Sequence, residues 1–347
     1  MGRPAPPVLA VQDDTALQGP NAAALIARAR KAGAKNARIN VIYGRVKSEG
    51  YDKIDQEVNA LRAAGITPQM TLMSTPSYMP QADATLSKMT TDPRKWQQFA
   101  AEVAKHFKGR VGRYSIGNEM NLEGFFAPNA GGALVGGRAY RSVYRGGYAG
   151  VKAADPTAQV LMGELVGAAN TRDFLKGLLG GKPLKTAGLA YHPYDKSITD
   201  APAATRNAWD IENLPDLQAT LARYKRQGKL QTAKGSAAPL YLTEMGYFRG
   251  GKLSDPARVA RMARAYRLAQ QAGARQFLSY QIAPTQRKTI QGAPTMSPEG
   301  DLIPGAVTQD PGWVWDTSLD PGALAAAIRR PKASAVRARA TTARKKR

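Results

Sequence analysis

From residue 8 to about 282 the chain alternates short apolar runs with longer segments in which apolar residues recur every three to four positions. A short run bounded by turn residues reads as a buried strand, and the 3.6-residue period reads as a helix with one face on a core. The strand runs are Val8 to Gln12, Ala37 to Ile42, Thr67 to Leu72, Arg113 to Asn118, Gln159 to Gly163, Gly188 to His192, Leu240 to Glu244 and Gln276 to Ile282. Strands that alternate with helices build a parallel sheet, and eight such units close it. The predicted fold class is α/β, a (β/α)8 TIM barrel.

Local punctuation agrees with this pattern. Asp92-Pro93 and Asp255-Pro256 each place an N-cap acceptor before a first-turn proline, whose missing N–H costs nothing there. Behind them, Trp96, Phe99, Val103 and Phe107 fall on one helix face, as do Val259, Met262, Tyr266 and Ala269. Gly33, Gly65 and Gly273 stand where a helix wants a left-handed residue just before the next strand. Residues 283–320, rich in Pro, Gly and Gln, interrupt the rhythm and read as a long loop over the barrel mouth. A short helix near Pro321 to Arg330 then completes the eighth unit. The organisation expected is an extension at 1–7, a barrel domain at 8–328 and a tail at 329–347.

Composition narrows the chemistry. No cysteine is present, which excludes disulfides, thiolate zinc sites and cysteine nucleophiles, and two histidines, His106 and His192, leave little for a histidine-built metal centre. No run of about 18 apolar residues could span a bilayer. The N-terminus lacks the apolar segment of a secretory signal, so the chain is read either as cytoplasmic or as having lost a leader. The net charge of +24 suggests nucleic acid until its distribution is considered. Residues 329–347 hold nine Lys or Arg and no acid, and setting those nine aside leaves +15 elsewhere. Such a segment cannot bury enough apolar area to order itself, and it reads as a solvated tail able to contact an anionic polymer or surface. No helix-turn-helix, zinc-finger or RNA-recognition signature accompanies the charge, so no specific nucleic-acid partner is expected.

Two glutamates end strands: Glu119 in Tyr114-Ser-Ile-Gly-Asn118-Glu119-Met-Asn121 after the fourth, and Glu244 in Leu240-Tyr-Leu-Thr-Glu244-Met-Gly after the seventh. In a closed barrel those strands lie across the mouth from one another, so side chains 125 positions apart converge on one cavity. Glycosidic bond cleavage needs such a pair, one carboxylic acid to protonate the leaving oxygen and one carboxylate to attack or stabilise the anomeric carbon.

Over nearly all of residues 8–328 the sequence resembles glycoside hydrolase clan A, particularly families 39 and 5. The resemblance rests on the run from Trp96-Gln-Gln-Phe99-Ala through Gly109-Arg-Val-Gly-Arg-Tyr114 to Asn118-Glu119, together with Thr243-Glu244-Met-Gly. It implies Glu119 as acid/base, Glu244 as nucleophile and Asn118 as a hydrogen-bond partner of the sugar 2-hydroxyl. It also implies that Arg38 holds the nucleophile, that Tyr194 donates to it and that His192 orients substrate. No metal or organic cofactor is implied, and the partner is a carbohydrate with a β-linked bond cleaved by double displacement. Sugar faces are apolar, so aromatic platforms are sought among Tyr43, Tyr78, Tyr194, Tyr247, Tyr280, Trp313 and Trp315.

Two departures stand out. Gly117 and Met120 occupy positions where the family often has tryptophan and proline, and Tyr280 stands where clan A commonly has tryptophan, so either Tyr280 or Trp315 is expected beneath the sugar. Glu164 reads either as a substrate-binding acid or as a solvated loop residue. Arg45, Lys47, Arg249, Arg287 and Lys288 fit an anionic glycan and ordinary surface basicity equally well. A barrel that keeps its cleft but only binds polysaccharide is the competing function; retention of both glutamates weighs against it.

Overall fold

The computed structural model describes residues 4–74, 91–167, 170–194, 208–232, 237–247, 253–282 and 318–329. Eight parallel strands close into a barrel: β1 (Val8–Gln12), β2 (Asn36–Ile42), β3 (Thr67–Met73), β4 (Arg113–Ile116), β5 (Gln159–Val166), β6 (Gly188–His192), β7 (Leu240–Leu242) and β8 (Gln276–Tyr280). Closure is made by β1 against β8, in register from Val8 opposite Gln276 to Gln12 opposite Tyr280. The helices that follow each strand are α1 (Ala22–Ala32), α2 (Asp52–Ala63), α3 (Pro93–His106), α4 (Ala133–Ala154), α5 (Thr171–Leu179), α6 (Leu214–Arg226), α7 (Asp255–Gln271) and α8 (Pro321–Arg329).

The main core lies between barrel wall and helices. On α3, Trp96, Phe99 and Val103 are fully buried, and Phe107 just beyond its end joins them. Each such large side chain contributes about 1.5–3 kcal/mol when removed from water. Helix α4 packs unusually close to its neighbours because glycines face them: a Cβ at Gly150 would strike the Gln97 carbonyl of α3, and one at Gly137 the Phe174 carbonyl of α5. Inside the barrel, Ala10, Leu278 and Tyr280 form one small cluster and Leu161, Ala190 and Tyr241 another. Below them Arg113 donates to Gln69 and Gln276, closing the N-terminal end with a polar layer.

Several element ends differ from the sequence expectation. β4 stops at Ile116 because Gly117 has φ 83° and Glu119 has φ 44°, a left-handed backbone that no strand can continue. β8 stops at Tyr280 for the same reason, with Gln281 at φ 59°. Helix α7 begins one residue early: Ser254 takes the cap position, and Asp255 instead pairs with Arg258 at 2.8 Å. Gly33, Gly65 and Gly273 adopt φ of 100°, 72° and 69°, the left-handed conformation their positions demanded. Arg329 is the last residue of α8, while 330–347 and most of the 283–320 segment fall outside the described residues. No helix among the described residues is long and apolar enough to cross a membrane.

Candidate active site

Glu119 sits on a tight turn rather than on a strand. Its left-handed backbone costs roughly 1–2 kcal/mol for a residue with a Cβ, so surrounding structure must impose it. β5 does so: the Glu164 amide donates to the Gly117 carbonyl at 3.1 Å, and the Met120 amide donates to the Glu164 carbonyl at 3.3 Å. Asn121 completes the clamp by exchanging hydrogen bonds with the Val166 backbone, both at 2.9 Å. The Met120 side chain folds back under Gly117, filling the space that a Cβ at 117 would need.

β5 itself is irregular. Its pairing with β6 shifts register between Met162 and Leu165, around Gly163 at φ 97°. A left-handed glycine at such a shift is a β-bulge, which re-aims the next side chain. The buried Tyr140 hydroxyl secures it, accepting from the Gly163 amide and donating to the Ile116 carbonyl, with the Gly163 carbonyl 3.1 Å away as an alternative acceptor. Glu164 is thereby fully buried at the centre of the barrel mouth. It is not a solvated loop acid, because the strand runs three residues past Gly163 and carries Glu164 within it.

Arg38, on β2 and wholly inaccessible to solvent, is the hub. Its Nη1 lies 2.6 Å from Glu244 Oε1 and also donates to Gln12 Oε1; its Nη2 reaches Glu164 Oε2 at 2.5 Å and Asn118 Oδ1 at 2.6 Å; its Nε donates to Thr71 Oγ1 at 2.7 Å. All five guanidinium N–H groups can thus be placed on acceptors, the geometry in which arginine outperforms lysine. The Thr71 hydroxyl donates onward to Glu164 Oε1 at 2.7 Å. His192, also buried, places Nε2 3.0 Å from Glu164 Oε2, and Nδ1 3.0 Å from Glu119 Oε1 and 3.4 Å from Glu244 Oε2. The Tyr194 hydroxyl donates to Glu244 Oε2 at 3.0 Å. One oxygen of Glu119, one of Glu244 and one ring nitrogen of His192 all lie within 4.8 Å of one another.

The electrostatics follow from these contacts. Burial alone would raise the Glu164 carboxyl, but Arg38, His192 and Thr71 outweigh it and hold the group below its ordinary 4.5. Burial likewise opposes a charged imidazole, yet Glu244, Glu119 and Glu164 push His192 up to about 9. Burial raises Glu244, with Glu119 and Glu164 acting in the same sense against the pull of His192 and Arg38. The Tyr194 phenol is pushed well above 10 by burial and by the Glu244 and Glu119 charges, and stays a donor.

Glu119, His192 and Glu244 are close enough to raise the question of a metal. The donor set does not suit one. Arg38 already holds Glu244 Oε1 at 2.6 Å, the Tyr194 hydroxyl donates to Glu244 Oε2 beside Nδ1, and a guanidinium this close repels a cation.

The other candidates separate clearly. Asn118 is buried against Arg38. Tyr280 faces the barrel interior beside Ala10 and Leu278 and is 6% exposed. Tyr43 packs edge-on against Phe99, and Tyr247 lies in the main core, so neither is a platform in the mouth. Trp315, Trp313, Tyr78, Arg249, Arg287 and Lys288 lie outside the described residues. Lys47 pairs with Glu102 at 2.8 Å and Arg45 with Glu49 at 3.4 Å, which makes both ordinary surface cations. Sequence reasoning passed over Gln12 and Thr71, polar residues on strands that otherwise read as apolar. The inward aim of Glu164 had one signal, a glycine inside a strand.

No family model matches the chain, and no curated protein matches it. Solved structures do. A family 39 glycoside hydrolase from the gut symbiont Bacteroides cellulosilyticus WH2 superimposes with a TM-score of 0.59 at 18% identity, over 93% of this chain and 64% of that one. A glucosidase from Croceicoccus marinus gives 0.57 at 15%, over 89% and 63%. Thermotoga maritima Cel5A, solved with a mannotriose substrate, gives 0.52 at 13%, over 82% and 91%. The chain thus spans a little under two thirds of the first two proteins. What it has in common with all three is the fold, an eight-stranded parallel barrel with its helices outside.

Proposed function

We propose that this protein is a retaining glycoside hydrolase acting on a β-linked bond, with Glu244 as nucleophile and Glu119 as acid/base. The observation that carries the reading is the approach of the two carboxylates, with oxygens no more than 4.8 Å apart at the barrel mouth. Retaining enzymes hold this pair about 5–5.5 Å apart, while inverting ones need about 6.5–9.5 Å to admit a water.

Each role has a local cause. Glu244 is gripped by Arg38 and Tyr194, which fix the rotamer an attacking oxygen needs. Glu119 is turned toward it by a strained backbone and contacts His192 through only one oxygen, leaving the other for a leaving group. Asn118, locked through Oδ1, has its amide N–H groups to offer a sugar hydroxyl, a contact that strengthens as the oxocarbenium-like state develops. Tyr280 is the aromatic we place beneath the sugar.

The test is a pair of variants assayed on aryl β-glycosides and polysaccharides. Glu244→Gln should abolish turnover, because no carboxylate remains to form the glycosyl-enzyme. Glu119→Gln should retain activity on substrates with good leaving groups, and azide should restore turnover by replacing base-assisted water. Near-wild-type activity of both variants on the best substrate, or a product of inverted configuration by NMR, would defeat the assignment.

A further inference from the structure

Six ionisable groups meet at the floor of this site, Arg38, Glu119, Glu164, His192, Tyr194 and Glu244, and one of them, Glu164, is a carboxylate for which the proposed reaction has no step. Glu164 bonds to no substrate-facing group except His192, yet it is as buried as any residue in the chain and its position is built by a β-bulge. Its Oε1 takes the Thr71 proton, and its Oε2 is shared between Arg38 Nη2 at 2.5 Å and His192 Nε2 at 3.0 Å. An ionised carboxylate only accepts, so His192 must carry a proton on Nε2. On the other side of the ring, Nδ1 faces Glu119 Oε1 at 3.0 Å and Glu244 Oε2 at 3.4 Å. With the Glu119 acid proton on the oxygen left for a leaving group, Oε1 is an acceptor, as is Glu244 Oε2. A bare nitrogen lone pair between the two would be repelled by both, and a second ring proton turns both contacts into attractions.

We propose that Glu164 is a positioning residue that holds His192 doubly protonated, so that an imidazolium, and not a neutral imidazole, donates to the Glu119 carboxyl. This rests in part on the hydrolase reading, since the consequence concerns Glu119 as acid. The groups facing His192 are Glu119 after β4, Glu164 on β5, Tyr194 after β6 and Glu244 after β7, with Arg38 of β2 behind two of them. Three carboxylates surround one imidazole, and against the opposing effect of burial they push His192 up to about 9. When Glu119 gives its proton to a leaving oxygen, the carboxylate that remains already has a charged donor 3.0 Å from its Oε1. Glu164 never touches the sugar in this scheme; it acts through the ring.

The chain has two histidines, so the imidazoles can be followed directly in the intact protein by nitrogen NMR, with His106→Gln removing the other signal. In the wild type His192 should show two protonated ring nitrogens at pH 7.5. Glu164→Gln should lower its titration midpoint by at least one unit, a tenfold change in protonation, and Glu164→Asp, which keeps the charge, should fall in between. On aryl β-glycosides, Glu164→Gln should lose at least tenfold more kcat/KM with poor leaving groups than with good ones, a split that a general loosening of the fold would not produce. A neutral His192 in the wild type at pH 7.5 overturns the proposal even if neither variant folds. A midpoint unchanged in Glu164→Gln overturns it too. The expected midpoint shift in a protein that cleaves no glycoside would sink the hydrolase assignment and leave this one standing.

Discussion

Two groups of carboxylates are buried in this barrel, and they are solved in opposite ways. At the mouth, Glu164 and Glu244 face Arg38 and His192 at hydrogen-bonding distance. Beside β1, Asp14 and Glu57 are 4% and 1% exposed, and among the described residues neither forms a salt bridge. Amides serve them instead: Asn40 and Gln12 donate to Asp14, and Gln18 donates to Glu57, whose Oε1 has no partner. Burial pushes Asp14 up and Glu57 well up, and Asp14 and Asp13 add to the push on Glu57. Gln12 joins the two groups, donating to Asp14 and accepting from Arg38. Burial alone therefore does not decide whether an acid inside this protein is an anion. Arg38 and His192 outweigh burial at Glu164, while Glu244, buried beside the same two cations but also facing Glu119 and Glu164, stays raised.

The largest expected effect comes from removing the hub. Arg38→Met leaves Glu164 and Glu244 buried without their guanidinium, and we expect about 3–5 kcal/mol lost in denaturant unfolding at pH 7. The deficit should shrink as pH falls and these carboxyls protonate. A loss below about 1 kcal/mol would mean that the mouth is no better paired than the group beside β1.

Next in size is the response to pH. His192 titrates near 9 in the fold against an ordinary 6.5, so its contribution is complete below 6.5 and is lost as pH rises through about 9. Glu164 runs the other way: held below 4.5, it contributes above that value, and the contribution disappears as pH falls through its folded-state titration. Denaturant midpoints measured from pH 4 to 10 should decline on the alkaline side in the wild type. His192→Asn should flatten that decline.

The smallest effect should have the opposite sign. Glu57→Gln keeps a carbonyl to accept from Gln18 and removes a carboxyl whose ionisation burial opposes, so it should stabilise by about 1 kcal/mol near neutrality. Because the folded-state value is raised, the gain should vanish below pH 4.5, where folded and unfolded chains both keep the proton. Destabilisation by this variant would show that Glu57 is paired after all.

How far all this was legible depends on the range of the interactions. Strand and helix identities were readable because they rest on local periodicity, and so were Glu119 and Glu244, because a residue ending the fourth or seventh strand has its place set by barrel closure. Arg38, Asn118, His192 and Tyr194 came by family resemblance; the barrel brings Arg38, His192 and Tyr194 to the two carboxylates and Asn118 to Arg38. Glu164 was ambiguous because its aim depends on a bulge and on partners on β2 and β6, far away in sequence. Glu57 left a trace that went unread: it falls on the buried stripe of α2 with Ile54, Val58 and Leu61, where an acid has no ordinary business.

The fold-back of Met120 under Gly117 couples two positions that a sequence comparison treats as independent. Compared column by column with a tryptophan-and-proline pattern, positions 117 and 120 register as two separate losses. In space they are one event, since the methionine occupies the volume that any side chain at 117 would claim. A tryptophan placed at 117 alone would collide, and a proline placed at 120 alone would leave a void and remove the amide that donates to Glu164. An exchange of one pattern for the other would therefore need both positions changed together or a small residue at each, and designing it is a matter of volumes rather than of counting substitutions.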